Sequence, residues 1–156
     1  MENSLKRAER LIKEHGLTVA TAESCTGGLL AAEFVSLPGS SNWFSEGCVT
    51  YTVPAKISRL SVSEATIDKY TVVSREVALE MARGIRKNLN ASIGISTTGY
   101  AGPGGGDDKN PVGTVFVAVV SDDKEICEKL SLTGERNEIR KEAVEKALCL
   151  LCDFIG

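Results

Sequence analysis

Two short stretches of this chain combine residue types able to do chemistry with glycines that let backbone approach a ligand. The first is Ala22-Glu23-Ser24-Cys25-Thr26-Gly27-Gly28. Leu17 to Ala22 reads as a buried strand, and Leu29 to Val35 is an apolar run at helical spacing, so Ser24 falls in a strand-to-helix turn. A serine there can present its hydroxyl beside free helical N–H groups, donors suited to a phosphate or to the oxyanion of acyl transfer. The spacing is not the G-x-S-x-G of a nucleophile elbow. The same serine would also serve simply as the helix N-cap.

The second stretch is Gly99-Tyr100-Ala101-Gly102-Pro103-Gly104-Gly105-Gly106. It holds no G-x-x-x-x-G-K-[ST] pattern and fits no dinucleotide fingerprint. A loop that wraps a ligand and a flexible surface loop both remain open. A serine nucleophile also needs a base. His15, the one histidine, precedes Gly16 at a helix end and is poorly placed, more suited to capping or facing solvent. A lysine serves if burial lowers its pKa. Lys56, soon after Val49-Thr50-Tyr51-Thr52, is one candidate among many, with a plain surface lysine as the alternative.

The elements that must position these residues follow from periodicity. Leu5, Ala8, Leu11 and Ile12 recur at helical spacing up to Gly16, and Pro38-Gly39-Ser40-Ser41 breaks the helix that follows Ser24. Gly47 to Thr52 reads as a second strand, with Pro54 in the first turn of a helix after it. Ser63-Glu64 starts a short helix. Ser74 caps a longer one, through Asn88, whose apolar face carries Val77, Ala78, Met81, Ala82, Ile85 and Leu89. Ile93 to Thr98 and Val112 to Val120 are strands, and Asp122-Asp123 turns the latter, hairpin-fashion, into Glu125 to Leu132. A helix from about Glu135 to Phe154 follows. Strands alternating with helices and ending in a hairpin imply an α/β fold with a mixed sheet covered on both faces.

Composition bounds the function. The chain has 156 residues, enough for one domain spanning 1–156, with 42% hydrophobic and 25% charged residues. No apolar run approaches the roughly 20 residues needed to cross a bilayer, and the charged N-terminus is unlike a signal segment. A cytoplasmic protein without a membrane partner is expected. The net charge of -3, with no basic stripe, disfavours nucleic acid but leaves room for a small anionic ligand. Five scattered cysteines argue against a disulfide framework, and the Cys149/Cys152 pair reads as core or incidental thiols. With a single histidine, no His-rich zinc site is expected.

Taken together, the segments Thr21 to Gly28, Pro38 to Ser41 with Trp43-Phe44, Val49-Thr50-Tyr51, and Ala55-Lys56 resemble the CinA C-terminal domain family. Val73-Ser74 with Val77, Gly99 with Ala101-Gly102-Pro103, Gly105-Gly106, and Lys109 with Pro111 to Val115 extend the likeness, as do Gly134-Glu135-Arg136 and Ile139-Arg140. The resemblance implies a three-layer α/β/α sandwich and a nicotinamide-nucleotide amidase, which hydrolyses the carboxamide of nicotinamide mononucleotide with no metal or organic cofactor. It implies Ser24 as nucleophile and Lys56 as its partner, with Tyr51 close by. Oxyanion and substrate contacts would come from Thr26, Gly27 and Gly28 and from the loop carrying Gly102, Gly104 and Gly105.

Arg136 and Arg140, one helical turn apart, would form a fork for the 5′-phosphate; a solvated helix face is the other reading. Two positions depart from the family pattern. Val53 stands where asparagine is common, and Tyr100 where a smaller aliphatic residue is usual. Some family members carry a larger N-terminal domain; here Met1 begins a helix just before the Ser24 strand, as in a stand-alone form. A homo-oligomer through Ala143, Ala147, Leu150 and Leu151 is one reading of the last helix's apolar face. Ordinary core is the other.

Overall fold

A computed structural model describes residues 1–156. Six helices are α1 (Ser4–Glu14), α2 (Leu29–Val35), α3 (Val53–Leu60), α4 (Glu64–Tyr70), α5 (Arg75–Leu89) and α6 (Arg136–Ile155). Five strands are β1 (Val19–Glu23), β2 (Phe44–Val49), β3 (Ile93–Gly99), β4 (Thr114–Val120) and β5 (Glu125–Ser131). They form one sheet in the order β2-β1-β3-β4-β5. β1 runs parallel to both β2 and β3, whereas β3–β4 and β4–β5 pair antiparallel. The sheet is therefore mixed.

Strand alternation sorts the core into two sides. Val19, Ile93, Ile95, Val115, Val117 and Val119 pack under α1, α2 and α6. Ala20 and Ala22 meet α3 and α5, and Phe116, Ala118 and Val120 meet α5, on the opposite face. This is a three-layer α/β/α sandwich. Every residue of β1 and β4 is buried, because helices cover both faces. Ala143, Ala147, Leu150 and Leu151 of α6 lie inside the first of these cores. That face is ordinary core of the chain.

The largest departure from the expected strand bounds is at β2. β2 starts at Phe44 and ends at Val49, not Gly47 to Thr52. The Thr52 side chain accepts the Ala55 N–H and so caps α3. A local cap satisfies orphan helical donors, which outweighs threonine's preference for strands. Pro54 lies in the first turn, as its missing N–H allows. The consequence is functional: α3 begins immediately beyond the carboxyl end of β2, and its buried face carries Lys56 and Leu60.

Candidate active site

The carboxyl ends of the three parallel strands open into one cavity of about 280 Å³. Ser24 and Cys25 line it from the turn after β1, Tyr51, Val53 and Lys56 from the segment after β2, and Thr98 to Gly102 with Gly104 from the end of β3. Arg136, the first residue of α6, completes the wall. Ligand sites in open α/β sheets gather at this end of the strands.

Lys56 has the most unusual environment of any residue in the site. It is 1% exposed, among the most buried large side chains of the molecule. Its Nζ donates to Ser24 Oγ at 2.8 Å and to the Thr50 carbonyl at 2.6 Å. No carboxylate pairs with it; all six ion pairs lie elsewhere. Burial without a counter-charge penalises the ammonium and brings its pKa down to about 8. A plain surface lysine is excluded. At pH 7 about one molecule in ten holds it as a free amine, the form that accepts a proton.

Ser24 does not cap α2. That role belongs to its neighbour Glu23, whose carboxylate is 1% exposed. Glu23 accepts the Leu30 N–H at 2.9 Å, the Ala31 N–H at 3.0 Å and the Thr26 hydroxyl at 2.6 Å. Thr26 is in turn 2.8 Å from the Thr97 hydroxyl. The turn is thereby tied to β3, and Ser24 Oγ is left to Lys56. Cys25 is buried, and its thiol is pushed up to about 11, chiefly by desolvation. It stays protonated at neutral pH, and the hydroxyl that Lys56 contacts is that of Ser24.

The remaining expected residues divide. Gly102 and Gly104 line the cavity, whereas Thr26, Gly27, Gly28 and Gly105 do not. Thr26 is fully buried in the network just described. Gly27 and Gly28 have φ of +59° and +100°, left-handed values that a side chain would strain, so they shape the turn. Tyr51 is 57% exposed, at the rim; its hydroxyl accepts from Arg136 Nη2 at 2.9 Å and makes no hydrogen bond with Ser24 or Lys56.

Arg136 and Arg140 do not form a single fork. Arg136 donates to the Gly102 carbonyl at 2.6 Å and to Tyr51, bridging the cavity from one wall to the other with neutral partners only. Arg140 grips the turn after Ser24 instead, through the Cys25 carbonyl at 3.0 Å and the Thr26 carbonyl at 3.1 Å. Neither belongs to a merely solvated face. His15 is exposed at the opposite end of β1 and takes no part.

Sequence reasoning passed over Glu23, Thr97, Thr98 and the Thr50 carbonyl. Glu23 carried a signal: a carboxylate closing an apolar strand is out of pattern and must find buried donors. Val53 and Tyr100 both line the cavity, and the Tyr100 hydroxyl donates to Asp107 at 3.1 Å. No three metal-ligating side chains converge, and no helix is long and apolar enough to cross a membrane.

Residues 2–155 match the family model of the CinA C-terminal domain. A relative from Clostridium botulinum (strain 657), provisionally named competence-damage inducible protein, is 49% identical over 90% of this chain. A relative of the same provisional name from Clostridioides difficile (strain 630) is 46% identical over 94% of it. This chain spans 34% and 35% of those two proteins, about a third of their length. Among solved structures, a CinA superfamily protein from Klebsiella pneumoniae superposes with a TM-score of 0.94 at 32% identity, covering 99% of this chain and 98% of that one. The competence/damage inducible protein CihA from Agrobacterium tumefaciens gives 0.91 at 37% identity, covering 98% and 96%.

Proposed function

The chain belongs to the CinA C-terminal domain family, of the competence/damage-inducible type, and from that premise we propose that it is a nicotinamide-nucleotide amidase. It converts the carboxamide of nicotinamide mononucleotide to the carboxylate, releasing ammonia. The observation that carries this reading is the 2.8 Å contact between Lys56 Nζ and Ser24 Oγ, with the lysine buried and unpaired.

In the working form Lys56 is a free amine. Ser24 Oγ attacks the carboxamide carbon while Lys56 takes the hydroxyl proton, and backbone N–H groups hold the oxyanion. Lys56 then returns the proton to the departing nitrogen as the C–N bond breaks, giving ammonia and an ester on Ser24. Water attacks that ester, its proton passes to Lys56, and Ser24 is regenerated with the same proton. The cycle needs no metal and no cofactor. The Thr50 carbonyl, 2.6 Å from Nζ, fixes the amine in line with Ser24.

Substrate charge fits one cation. Arg136 lines the cavity and has only neutral partners, so a phosphate can replace the Gly102 carbonyl as its acceptor while the Tyr51 hydroxyl keeps the guanidinium at the rim. Tyr51 supports that rim; its hydroxyl is bonded to Arg136 and not to Ser24 or Lys56, so no proton transfer is assigned to it.

The test is ammonia release from nicotinamide mononucleotide by wild type, Ser24→Ala and Lys56→Ala. Activity lost in both variants supports the reading. A wild type that binds the nucleotide and releases no ammonia would make this a binding module, with Val53 in the cavity wall as the first substitution to reverse.

A further inference from the structure

The turn after Ser24 contains more N–H groups than it uses. Ser24 N–H donates to the Thr97 carbonyl and Gly27 N–H to the Ser24 carbonyl, both at 3.0 Å. Cys25 and Thr26 N–H find no acceptor within the protein. Yet Cys25 is 6% exposed and Thr26 fully buried. Buried N–H groups without an acceptor are rare, because each forfeits its hydration. Of the two, Cys25 stands in the cavity wall, directly after a serine held by a buried lysine, where its N–H can receive a ligand atom.

What aims them is visible from the other end of each peptide. In a trans peptide the carbonyl and the N–H point in opposite directions. The Ser24 carbonyl is turned into the tight turn by Gly27, which sends the Cys25 N–H outward beside Ser24. The Cys25 carbonyl is drawn by Arg140 Nε at 3.0 Å, which sends the Thr26 N–H away from Arg140. Arg140 Nη2 holds the Thr26 carbonyl as well, at 3.1 Å. A Cβ on Gly27 would lie 2.9 Å from that Nη2, so glycine is what allows the guanidinium to lie against the turn. Arg140 reaches this place from α6, 115 residues further along the chain, and does not line the cavity.

We propose that Arg140 is a positioning residue that, by holding the turn after Ser24, sets the Cys25 N–H as an oxyanion donor for Ser24, rather than a ligand of the substrate phosphate. The inference rests on the serine acyl-transfer reading above. Asn137, whose side-chain oxygen accepts from Arg140 Nη1 at 2.9 Å, steadies the third arm of the same guanidinium. A donor on a turn held through its carbonyls by Arg140 costs no reorganisation when the oxyanion forms, which is the condition for it to lower the barrier.

The experiment compares wild type, Arg140→Ala and Arg140→Lys on nicotinamide mononucleotide and on the phosphate-free riboside, with folding checked by circular dichroism. It also measures the rate at which a fluorophosphonate modifies Ser24, a reaction that passes through an oxyanion without any nucleotide. The expected result for Arg140→Ala is a fall of about 10–100-fold in kcat on both substrates, with a matching fall in the modification rate. KM should stay within about twofold. Arg140→Lys, which keeps the charge and loses the planar fork laid across the two carbonyls, should fall between. A rise in KM confined to the nucleotide, with kcat and modification rate unchanged, overturns the proposal in favour of phosphate binding. Lower stability with unchanged kcat overturns it in favour of a purely structural clamp. If wild type shows neither ammonia release nor Ser24 modification, the acyl-transfer reading itself has failed and this inference goes with it.

Discussion

The carboxylate of Glu23 accepts the Leu30 N–H across 2.9 Å, seven positions further along the chain. With the Ala31 N–H on its other oxygen, it saturates the amino end of α2 from within the protein. That end is therefore closed to an external anion, and the negative charge of a substrate must be met elsewhere. Arg136, in the cavity wall, is the cation that the proposed function assigns to it.

Glu23→Ala should destabilise the fold by about 3 kcal/mol, since it orphans two backbone donors and takes one partner from the Thr26 hydroxyl in a buried place. Glu23→Gln keeps an acceptor for one donor and should lose about half as much. Urea unfolding of the three proteins checks this. Equal stability would mean that the cap is dispensable.

The pH profile of kcat/KM should rise through about 8 and level off above, because only the neutral Lys56 accepts the Ser24 proton. Lys56→Ala should lose at least about 1000-fold and flatten this limb. A profile already flat at pH 7 would place the working base elsewhere.

Lys56→Met should be inactive and more stable at pH 7. The folded-state pKa of Lys56, about 8, lies below the ordinary 10.5. Between those values the unfolded chain binds more protons than the folded one, so wild-type stability rises with pH in that window. Below pH 8 the buried ammonium costs about 3 kcal/mol, partly offset by its two hydrogen bonds. The variant should therefore gain about 1 kcal/mol at pH 7. That advantage should shrink and reverse toward pH 10.5, as read by denaturation at both pH values.

Arg136→Ala should raise KM for the nucleotide at least about tenfold and leave the riboside nearly unaffected. Tyr51→Phe should show a weaker form of the same pattern, since it removes one acceptor of that guanidinium at an exposed rim. A 100-fold loss of kcat in Tyr51→Phe would instead make its hydroxyl a proton donor.

By itself the sequence determined the local units and the family. Apolar spacing marked α2 from Leu29 to Val35, and the Ser74 cap marked α5 almost to the residue, because periodicity and caps are short-range properties. The run around Ser24 and the glycine-dense loop after β3 carried the family likeness through residue type alone. Only the tertiary structure decided what Lys56, Glu23, Arg136 and Arg140 do. A lysine is a base only when burial removes its water, and 32 positions separate Lys56 from Ser24. Two arginines one helical turn apart read alike in sequence. Yet α6 lies so that one crosses the cavity and the other holds the carbonyls of the Ser24 turn, a difference fixed by how the helix packs.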